Sequence, residues 1–430
     1  MNKKILYGPQ TKAAADNFPF DYPLTHLEFI YAIVMIKKAA AMANFKAGKI
    51  NEDKVKKIIV ACDEILKGKY NDQFIIKGLH GGAGTSVNMN VNEVIAILSG
   101  THPNDNVNAS QSTNDVNPSA LKIASIKLTE KLLNSLLYLI KVFEKRAEEF
   151  KGVKKLARTH MQDAVPTTLG AELQSYADIL KRDMERIKES EKYLLELNLG
   201  GTAIGNSINA SKIYIENVYE ELRNITKIKE LKPMNNLMSG TSSNTDFCYI
   251  SSAVNILCLD MSKIATDLRF MSSGPRGGIG EISFIEMQQG SSIMPGKVNP
   301  IICETMNQIY FQVDGRNTTI YHAAESSHLE LGIMLPAIAD SLITMLKIVE
   351  SGLRLFADRG IRKIVANKKR CFELLGKSTA YSTLLTPVLG YDTISKIVKE
   401  ALLTGKTLKQ IILEKKLMTE AKLEKLLILK

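Results

Sequence analysis

Apolar residues recur at helical spacing along much of the chain. Between Leu121 and Phe143 they are separated mostly by steps of three and four, which places them on one face of a helix. The same spacing recurs over 173–194, 249–271 and 338–357. Proline is absent from 119–165, 167–232 and 234–274, so helices longer than the usual length of about 11 or 12 residues can form. No stretch alternates convincingly between apolar and polar residues as a strand would. The pattern predicts a mainly α fold with a central bundle of long helices.

The flanking parts of the chain differ from this centre. The residues before it contain shorter segments and much of the early glycine and proline, and the residues after it contain shorter helical pieces such as 394–403. We therefore predict an N-terminal domain over 1–111, a central helical domain over 112–366 and a small C-terminal helical domain over 367–430. There is no internal repeat and no low-complexity linker.

Composition and charge narrow the function classes. The chain has 430 residues, 45% of them hydrophobic, which excludes a disordered protein. A net charge of +11 could indicate nucleic-acid binding, but basic pairs such as Lys154-Lys155 and Lys415-Lys416 lie far apart, and aromatic residues make up only 6%. No segment has the run of about 18 apolar residues that a membrane span needs, and the first residues lack the apolar core of a signal peptide. We predict a cytoplasmic protein that binds neither nucleic acid nor membranes.

The cysteines argue against disulfides and against a metal site. Their number is odd, their spacing is wide and no CxxC pair occurs, so we expect reduced and mostly buried thiols. The five are Cys62, Cys248, Cys258, Cys303 and Cys371.

Four polar segments interrupt the helical pattern. They are rich in hydroxyl and amide side chains and poor in bulky apolar groups: GGAGTSVNMNVNE (81–93), VNASQSTNDVNPSA (107–120), RTHMQDAVPTTLG (158–170) and GSSIMPGKVNP (290–300). Such clusters cap helices more often than they bind ligands. Taken together, however, they could form a site with many neutral donors and one lysine, Lys297. A site of this kind suits a small dicarboxylate.

The second segment contains a predicted helix start. Asn117 followed by Pro118 is typical of an N-cap followed by the first helical residue. This predicts that Ser112, Thr113 and Asn114 lie just before a helix N-terminus, where backbone amides and the helix dipole favour an anion.

The fourth segment, GSSIMPGKVNP, resembles the signature loop of the fumarase/aspartase superfamily. The other three segments match the superfamily in the same order, and the resemblance extends over essentially the whole chain, including GYDTISKIVKEALLTGKTL near its end. The resemblance implies a homotetramer in which the central domains form a twenty-helix core. It also implies that each active site is built by three subunits, and that neither a metal nor an organic cofactor is required.

Within the superfamily the sequence resembles the aspartases more than the fumarases. Ser86-Val87 follows Thr85, Val165 precedes Pro166, and AAES stands at 323–326. This resemblance implies reversible elimination of ammonia from L-aspartate to give fumarate. Two alternative reactions remain, which are hydration of fumarate and elimination from an N-substituted aspartate. They remain because Lys12, Gly332 and Leu335 differ from the residues that relatives have at these positions. A catalytically silent binding protein is disfavoured, since all four segments are intact.

The resemblance also implies roles for single residues. Ser291 would abstract the C3 proton, and Lys297 would help to stabilise its alkoxide. Thr85, Ser112, Thr113 and Ser292 would hold the β-carboxylate; Thr159, Lys297 and Asn299 would hold the α-carboxylate; Asn114 and His160 would face the amino group. From ordinary pKa values alone His160 is the rival base, because a histidine titrates near neutral pH and a serine does not.

Overall fold

The computed structural model describes residues 5–288 and 290–426. The outer ends of the predicted N-terminal and C-terminal domains lie outside these residues. The fold is mainly helical, as predicted. Its α-helices are Pro9–Asn17, Leu27–Lys46, Glu52–Leu66, Thr85–Ser99, Thr113–Glu149, Leu169–Glu191, Lys212–Thr226, Leu237–Ser242, Thr245–Met271, Ile301–Glu325, Leu335–Leu355, Lys368–Lys377, Ser382–Leu389, Tyr391–Thr404, Leu408–Glu414 and Glu420–Leu426.

Short helical turns and strands complete the described part of the chain. Two π-helical turns occupy Pro103–Val107 and Phe356–Gly360, and 3₁₀ turns occupy Asn71–Gln73, Lys192–Leu195 and Ile361–Lys363. The strands form three two-stranded sheets: Lys154–Thr159 pairs antiparallel with Gln162–Thr168, Glu196–Leu197 pairs parallel with Lys232–Pro233, and Ile282–Ser283 pairs antiparallel with Val365–Ala366.

The chain divides into two compact units, each assembled from separate stretches of sequence. The first unit comprises residues 1–134, 183–258 and 309–351, and the second comprises 135–182, 259–308 and 352–430. The division of the sequence into domains at 111 and 366 stays a prediction.

The four helices expected from apolar spacing are present and longer than the stretches that predicted them. The most extended, Thr113–Glu149, has 37 residues. Its apolar stripe is buried, with Leu121, Leu132 and Leu136 inaccessible to solvent. The stripe is therefore the face that packs into the protein interior, where each fully buried side chain of this size contributes about 1.5–3 kcal/mol.

The predicted start of this helix was wrong. The helix begins at Thr113, and Pro118 lies inside it. A proline in a helix leaves the carbonyl oxygen four residues earlier without its amide donor. Here that oxygen belongs to Asn114, and the Nδ2 of Asn198 donates to it at 3.1 Å. A side chain distant in sequence thus replaces the missing helical hydrogen bond.

A β-hairpin stands where the sequence showed no strand. The strands Lys154–Thr159 and Gln162–Thr168 are joined by His160 and Met161, whose φ angles are +53° and +62°. Positive φ at both central residues defines a type I′ turn, which usually contains asparagine or glycine. Because His160-Met161 lacks that signature, the turn could not be predicted from these residues.

The first unit contains a fully buried lysine. The Nζ of Lys37, on helix Leu27–Lys46, donates to the Oδ1 of Asn108 at 2.7 Å, and the side chain is inaccessible to solvent. Burial lowers the pKa of Lys37 to about 7, although the charge of Asp115 opposes this shift. The protein core therefore holds a group whose charge is disfavoured by the folded state.

We expect this lysine to make stability depend on pH. Between about pH 7 and 10 the unfolded chain binds the Lys37 proton and the folded chain does not, so the free energy of unfolding rises with pH over this range, by less than about 5 kcal/mol. Lys37→Met removes the group. The thermal midpoint of the wild type minus that of Lys37→Met should therefore increase from pH 7 to pH 10. A difference that is flat with pH, or that falls, would contradict the prediction.

One helix passes a length and hydropathy test for a membrane span. It is Thr245–Met271, whose most apolar 18-residue window has a mean hydropathy of 1.2. Within that window 61% of the residues are buried inside the protein, which is the pattern of a core helix. No other helix in the described residues passes the test.

The thiols behave as the sequence predicts. All five cysteines are buried and none forms a disulfide. Burial raises the pKa of the Cys62 thiol to about 12, so it stays protonated and inert.

Candidate active site

The first polar segment forms a tight turn that leads into helix Thr85–Ser99. Gly84 precedes the helix with a φ of +87°, and its carbonyl oxygen accepts a hydrogen bond from the Nδ2 of Asn117 at 2.9 Å. A Cβ at Gly84 would lie 2.3 Å from that nitrogen, so only glycine fits. The turn exposes Thr85 at the first position of the helix.

The second polar segment caps helix Thr113–Glu149. The Oγ of Ser112 accepts from the amide of Asn114 at 3.2 Å, and the Oδ1 of Asp115 accepts from the amide of Ser112 at 2.9 Å. This reciprocal pair resembles a capping box, with an aspartate in the third helical position. Ser112 is therefore the N-cap, five residues earlier than the sequence predicted. The three candidates Ser112, Thr113 and Asn114 lie at the start of the helix itself.

Asp115 joins this segment to a second loop. The carboxylate is inaccessible to solvent, and its Oδ2 accepts from the amides of Gly200 and Thr202 at 3.0 and 3.1 Å. The Nδ2 of Asn114 donates to the carbonyl oxygen of Ala203 at 2.8 Å. Burial raises the pKa of Asp115 to about 6, and its amide donors oppose that rise, so the group is ionised above that pH. Sequence reasoning missed Asp115 because two of its three amide partners, Gly200 and Thr202, lie 85 and 87 residues away.

Thr85 and Asn114 come together in one cleft of the first unit. The cleft has a volume of about 660 Å³, and its other walls come from the turn at 79–83 and from the segment 331–337. Thr113 lies nearby in sequence, and its Oγ1 accepts from the Nδ2 of Asn88 at 3.2 Å. Ser112 lines a separate cavity of about 790 Å³, together with Gln111 and Thr202.

His80 is a further residue of the cleft that contains Thr85 and Asn114. Its Nδ1 donates to the carbonyl oxygen of Lys77 at 2.8 Å, which leaves Nε2 as an acceptor. Burial lowers the pKa of His80, so the imidazole is neutral at physiological pH. In the described part of the chain Nε2 is buried and has no hydrogen-bond partner. The sequence offered one signal, the position of His80 directly before the glycine-rich turn.

The third polar segment belongs to the second unit and forms the hairpin. Thr159 ends the first strand, and His160 is the first residue of the type I′ turn. Both side chains are exposed at the tip of the hairpin. A non-glycine residue held at positive φ costs roughly 1 kcal/mol or more, and such residues cluster at functional sites. The hairpin therefore presents Thr159 and His160 to solvent on a short, defined turn.

The fourth polar segment, also in the second unit, is an irregular loop before helix Ile301–Glu325. The Oγ of Ser291 accepts from the amides of Ile293 and Met294 at 3.1 and 3.0 Å. Two donors on one hydroxyl oxygen favour the alkoxide over the alcohol. Ser292 and Lys297 are exposed in the same loop.

Asn299 closes this loop on itself. Its Nδ2 donates to the carbonyl oxygen of Gly290 at 2.7 Å. A Cβ at Gly290 would overlap the carbonyl oxygen of Lys297, at 1.8 Å, so the two ends of the loop can approach only because this residue is glycine. The loop is thus closed at its base, with Ser291, Ser292 and Lys297 between the two ends.

The three residues that differ from those of relatives, Lys12, Gly332 and Leu335, lie in the first unit. Lys12 is exposed on helix Pro9–Asn17, whose N-terminus is anchored by Glu93 through the amides of Gly8 and Thr11. Gly332 packs against Asn244, since a Cβ there would lie 2.2 Å from the asparagine Nδ2. Leu335 is buried.

In the described residues no group of three or more histidine, cysteine, aspartate or glutamate side chains has the arrangement of a metal site.

Sequence comparisons assign this fold and its four polar segments to the lyases. A family model described as lyase matches residues 4–315, and one described as fumarase C C-terminus matches residues 382–430. The chain belongs to the fumarase/aspartase superfamily of enzymes, as predicted from the four segments.

Individual relatives cover nearly the whole chain. It is 43% identical to an aspartate ammonia-lyase of Bacillus subtilis over 98% of this chain and 91% of the relative. It is 40% identical to an aspartate ammonia-lyase of Helicobacter pylori over 99% of this chain and 93% of the relative.

Solved structures show the same architecture. A crystal structure titled fumarate lyase:delta crystallin from Brucella melitensis, bound to cobalt, has a TM-score of 0.96 at 40% identity and covers 99% of this chain and 95% of that one. A class II fumarase from Schistosoma mansoni has a TM-score of 0.94 at 32% identity and covers 100% of this chain and 95% of that one. The same fold therefore occurs in a protein titled fumarate lyase:delta crystallin and in a class II fumarase.

Proposed function

We propose that this protein is a cytoplasmic aspartate ammonia-lyase, which reversibly eliminates ammonia from L-aspartate to give fumarate. The observation that carries the proposal is the identity of 39–43% to relatives named aspartate ammonia-lyase over at least 97% of the chain. The four polar segments supply hydroxyl, amide and lysine groups that suit a small dicarboxylate. The substrate is such a dicarboxylate, and no nucleic acid or membrane takes part.

The base is Ser291. Removal of the C3 proton needs a strong base, because that proton is only weakly acidic next to a carboxylate. The amides of Ile293 and Met294 donate to the Ser291 Oγ and stabilise its alkoxide. Lys297, in the same loop, adds a positive charge. This geometry supports Ser291 over His160, which is exposed on the hairpin turn.

The remaining candidates hold the substrate and catch the charge that develops on it. Thr85, Ser112, Thr113 and Ser292 bind the β-carboxylate and stabilise its dianionic aci-carboxylate form; Thr159, Lys297 and Asn299 bind the α-carboxylate; Asn114 and His160 face the amino group as it leaves. Preorganised donors of this kind commonly provide the largest single contribution to catalysis. The cleft that Thr85 and Asn114 share supports placing these two residues at one substrate site, whereas Ser112 lines a separate cavity.

We also propose a homotetramer in which each active site takes residues from three subunits. Long helices of the described chain carry large apolar side chains on their surface. Phe311 is 62% exposed, Tyr321 49% and Leu259 48%. Contiguous patches of exposed apolar groups mark protein–protein interfaces, so we expect neighbouring subunits to cover these side chains.

The experiment that tests the function follows fumarate by its ultraviolet absorbance with three substrates. We expect rapid formation from L-aspartate and a slower reaction, or none, with L-malate and with N-substituted aspartates. Rapid formation from L-malate and none from L-aspartate would replace the proposal by a fumarase. Preference for an N-substituted aspartate would assign that substrate class instead, and Gly332 and Leu335 would then be the first positions to examine.

A further inference from the structure

A buried carboxylate in the second unit connects two of the polar segments. Glu281 is inaccessible to solvent. Its Oε1 accepts from the Nη1 of Arg158 at 3.0 Å, and its Oε2 lies 3.0 Å from the Nζ of Lys155. Arg158 directly precedes Thr159 and His160, and Glu281 lies ten residues before Ser291. One side chain therefore joins the strand that carries the hairpin turn to the segment that leads into the signature loop.

The hairpin carries a β-bulge beside this double contact. The pairing of its strands shifts between Leu156 and Arg158, where two residues of the second strand lie opposite one residue of the first. Lys155 and Arg158, on the first strand, both contact the same carboxylate. Bulges are common beside active sites, where they redirect a side chain.

The backbone around Glu281 is held firmly as well. The Glu281 amide donates to the carbonyl oxygen of Met271 at 2.8 Å, and the amide of Asn367 donates to the Glu281 carbonyl oxygen at 2.9 Å. The Nδ2 of Asn367 donates to the carbonyl oxygen of Gly280 at 2.8 Å. Glu281 is thus a fixed point, whereas residues 285–288 further along the same segment are exposed.

We propose that Arg158 and Glu281 are positioning residues for the reaction of the proposed function, on which this inference rests. Their charge-assisted hydrogen bond fixes the hairpin turn, with Thr159 and His160, relative to the segment that leads into the signature loop. Neither residue contacts the substrate. A misplacement of about 1 Å at an active site can cost about 10²-fold in rate, so a contact that sets this geometry affects turnover without taking part in chemistry.

The test replaces Arg158 by alanine and then adds guanidinium ion to the solution. Arg158 lines a cavity of about 270 Å³, so Arg158→Ala leaves space for a guanidinium ion. We expect kcat for L-aspartate to fall by about 10²-fold, with a smaller change in KM, and added guanidinium to restore much of the loss. The matched control is Lys263→Ala, which removes a positive charge from the wall of the same cavity but has no contact with Glu281.

A second variant covers the case in which Arg158→Ala does not fold. Arg158→Lys keeps the charge but loses the planar donor group, so we expect an intermediate loss of kcat with an unchanged thermal midpoint. Activity of both variants at the level of Lys263→Ala, or a loss that guanidinium does not reverse in a folded Arg158→Ala, would overturn the inference. A wild-type protein that forms no fumarate from L-aspartate would instead remove the proposed function, and the inference with it.

Discussion

Replacing Ser291 by alanine should lower kcat for L-aspartate by about 10³-fold while substrate binding stays measurable. The substitution removes the oxygen that accepts from the amides of Ile293 and Met294, and with it the proposed base. Positioned proton transfer contributes about 10²–10⁴-fold to enzymatic rates, which sets the expected size of the loss. Steady-state formation of fumarate gives kcat, and isothermal titration with the competitive product fumarate gives the affinity.

The same measurements separate Ser291 from its rival. His160→Ala should retain more activity than Ser291→Ala, because a group that only faces the leaving amine is not required for proton abstraction. Ser351→Ala, at an exposed position of helix Leu335–Leu355, is the matched loss of a hydroxyl and should leave kcat unchanged. Near-normal turnover in Ser291→Ala together with inactivity in His160→Ala would reverse the two assignments.

The long helices were predictable because their signal is local. Apolar residues at steps of three and four defined the stripe of Thr113–Glu149, and the tertiary fold buried that stripe. The helix start was not predictable, because a distant residue decides it. Asn117-Pro118 has the local chemistry of a helix start, yet Asn198 supplies the hydrogen bond that lets the helix continue through Pro118.

The candidate site shows the same division between local and distant causes. A composition rich in hydroxyl and amide side chains marked the four segments, and the resemblance assigned their residues. The hairpin escaped prediction because His160-Met161 adopts positive φ without the usual residues. Asp115 and Glu281 escaped because their roles come from partners that are distant in sequence. His80 escaped because only the fold places it in the cleft with Asn114.

Replacing Asp115 by alanine should destabilise the first unit by about 3 kcal/mol or more. The carboxylate accepts from the amides of Ser112, Gly200 and Thr202, and the substitution leaves all three without that acceptor in a buried site. Each buried donor left unsatisfied costs about 1–3 kcal/mol. Thermal unfolding at pH 8, where Asp115 is ionised, measures the loss. The start of helix Thr113–Glu149 should loosen at the same time, so KM for L-aspartate should rise.

The conservative variant distinguishes hydrogen bonding from simple filling of space. Asp115→Asn keeps the volume but replaces one acceptor oxygen by a donor, which then faces a backbone amide, so its loss of stability should approach that of Asp115→Ala. Asp53→Asn removes a carboxylate from an exposed ion pair with Lys57 and should cost less than about 1 kcal/mol. If Asp115→Asn were as stable as Asp53→Asn, the three amides would be satisfied by other groups. The carboxylate would then not be what joins Ser112 to the loop at Gly200.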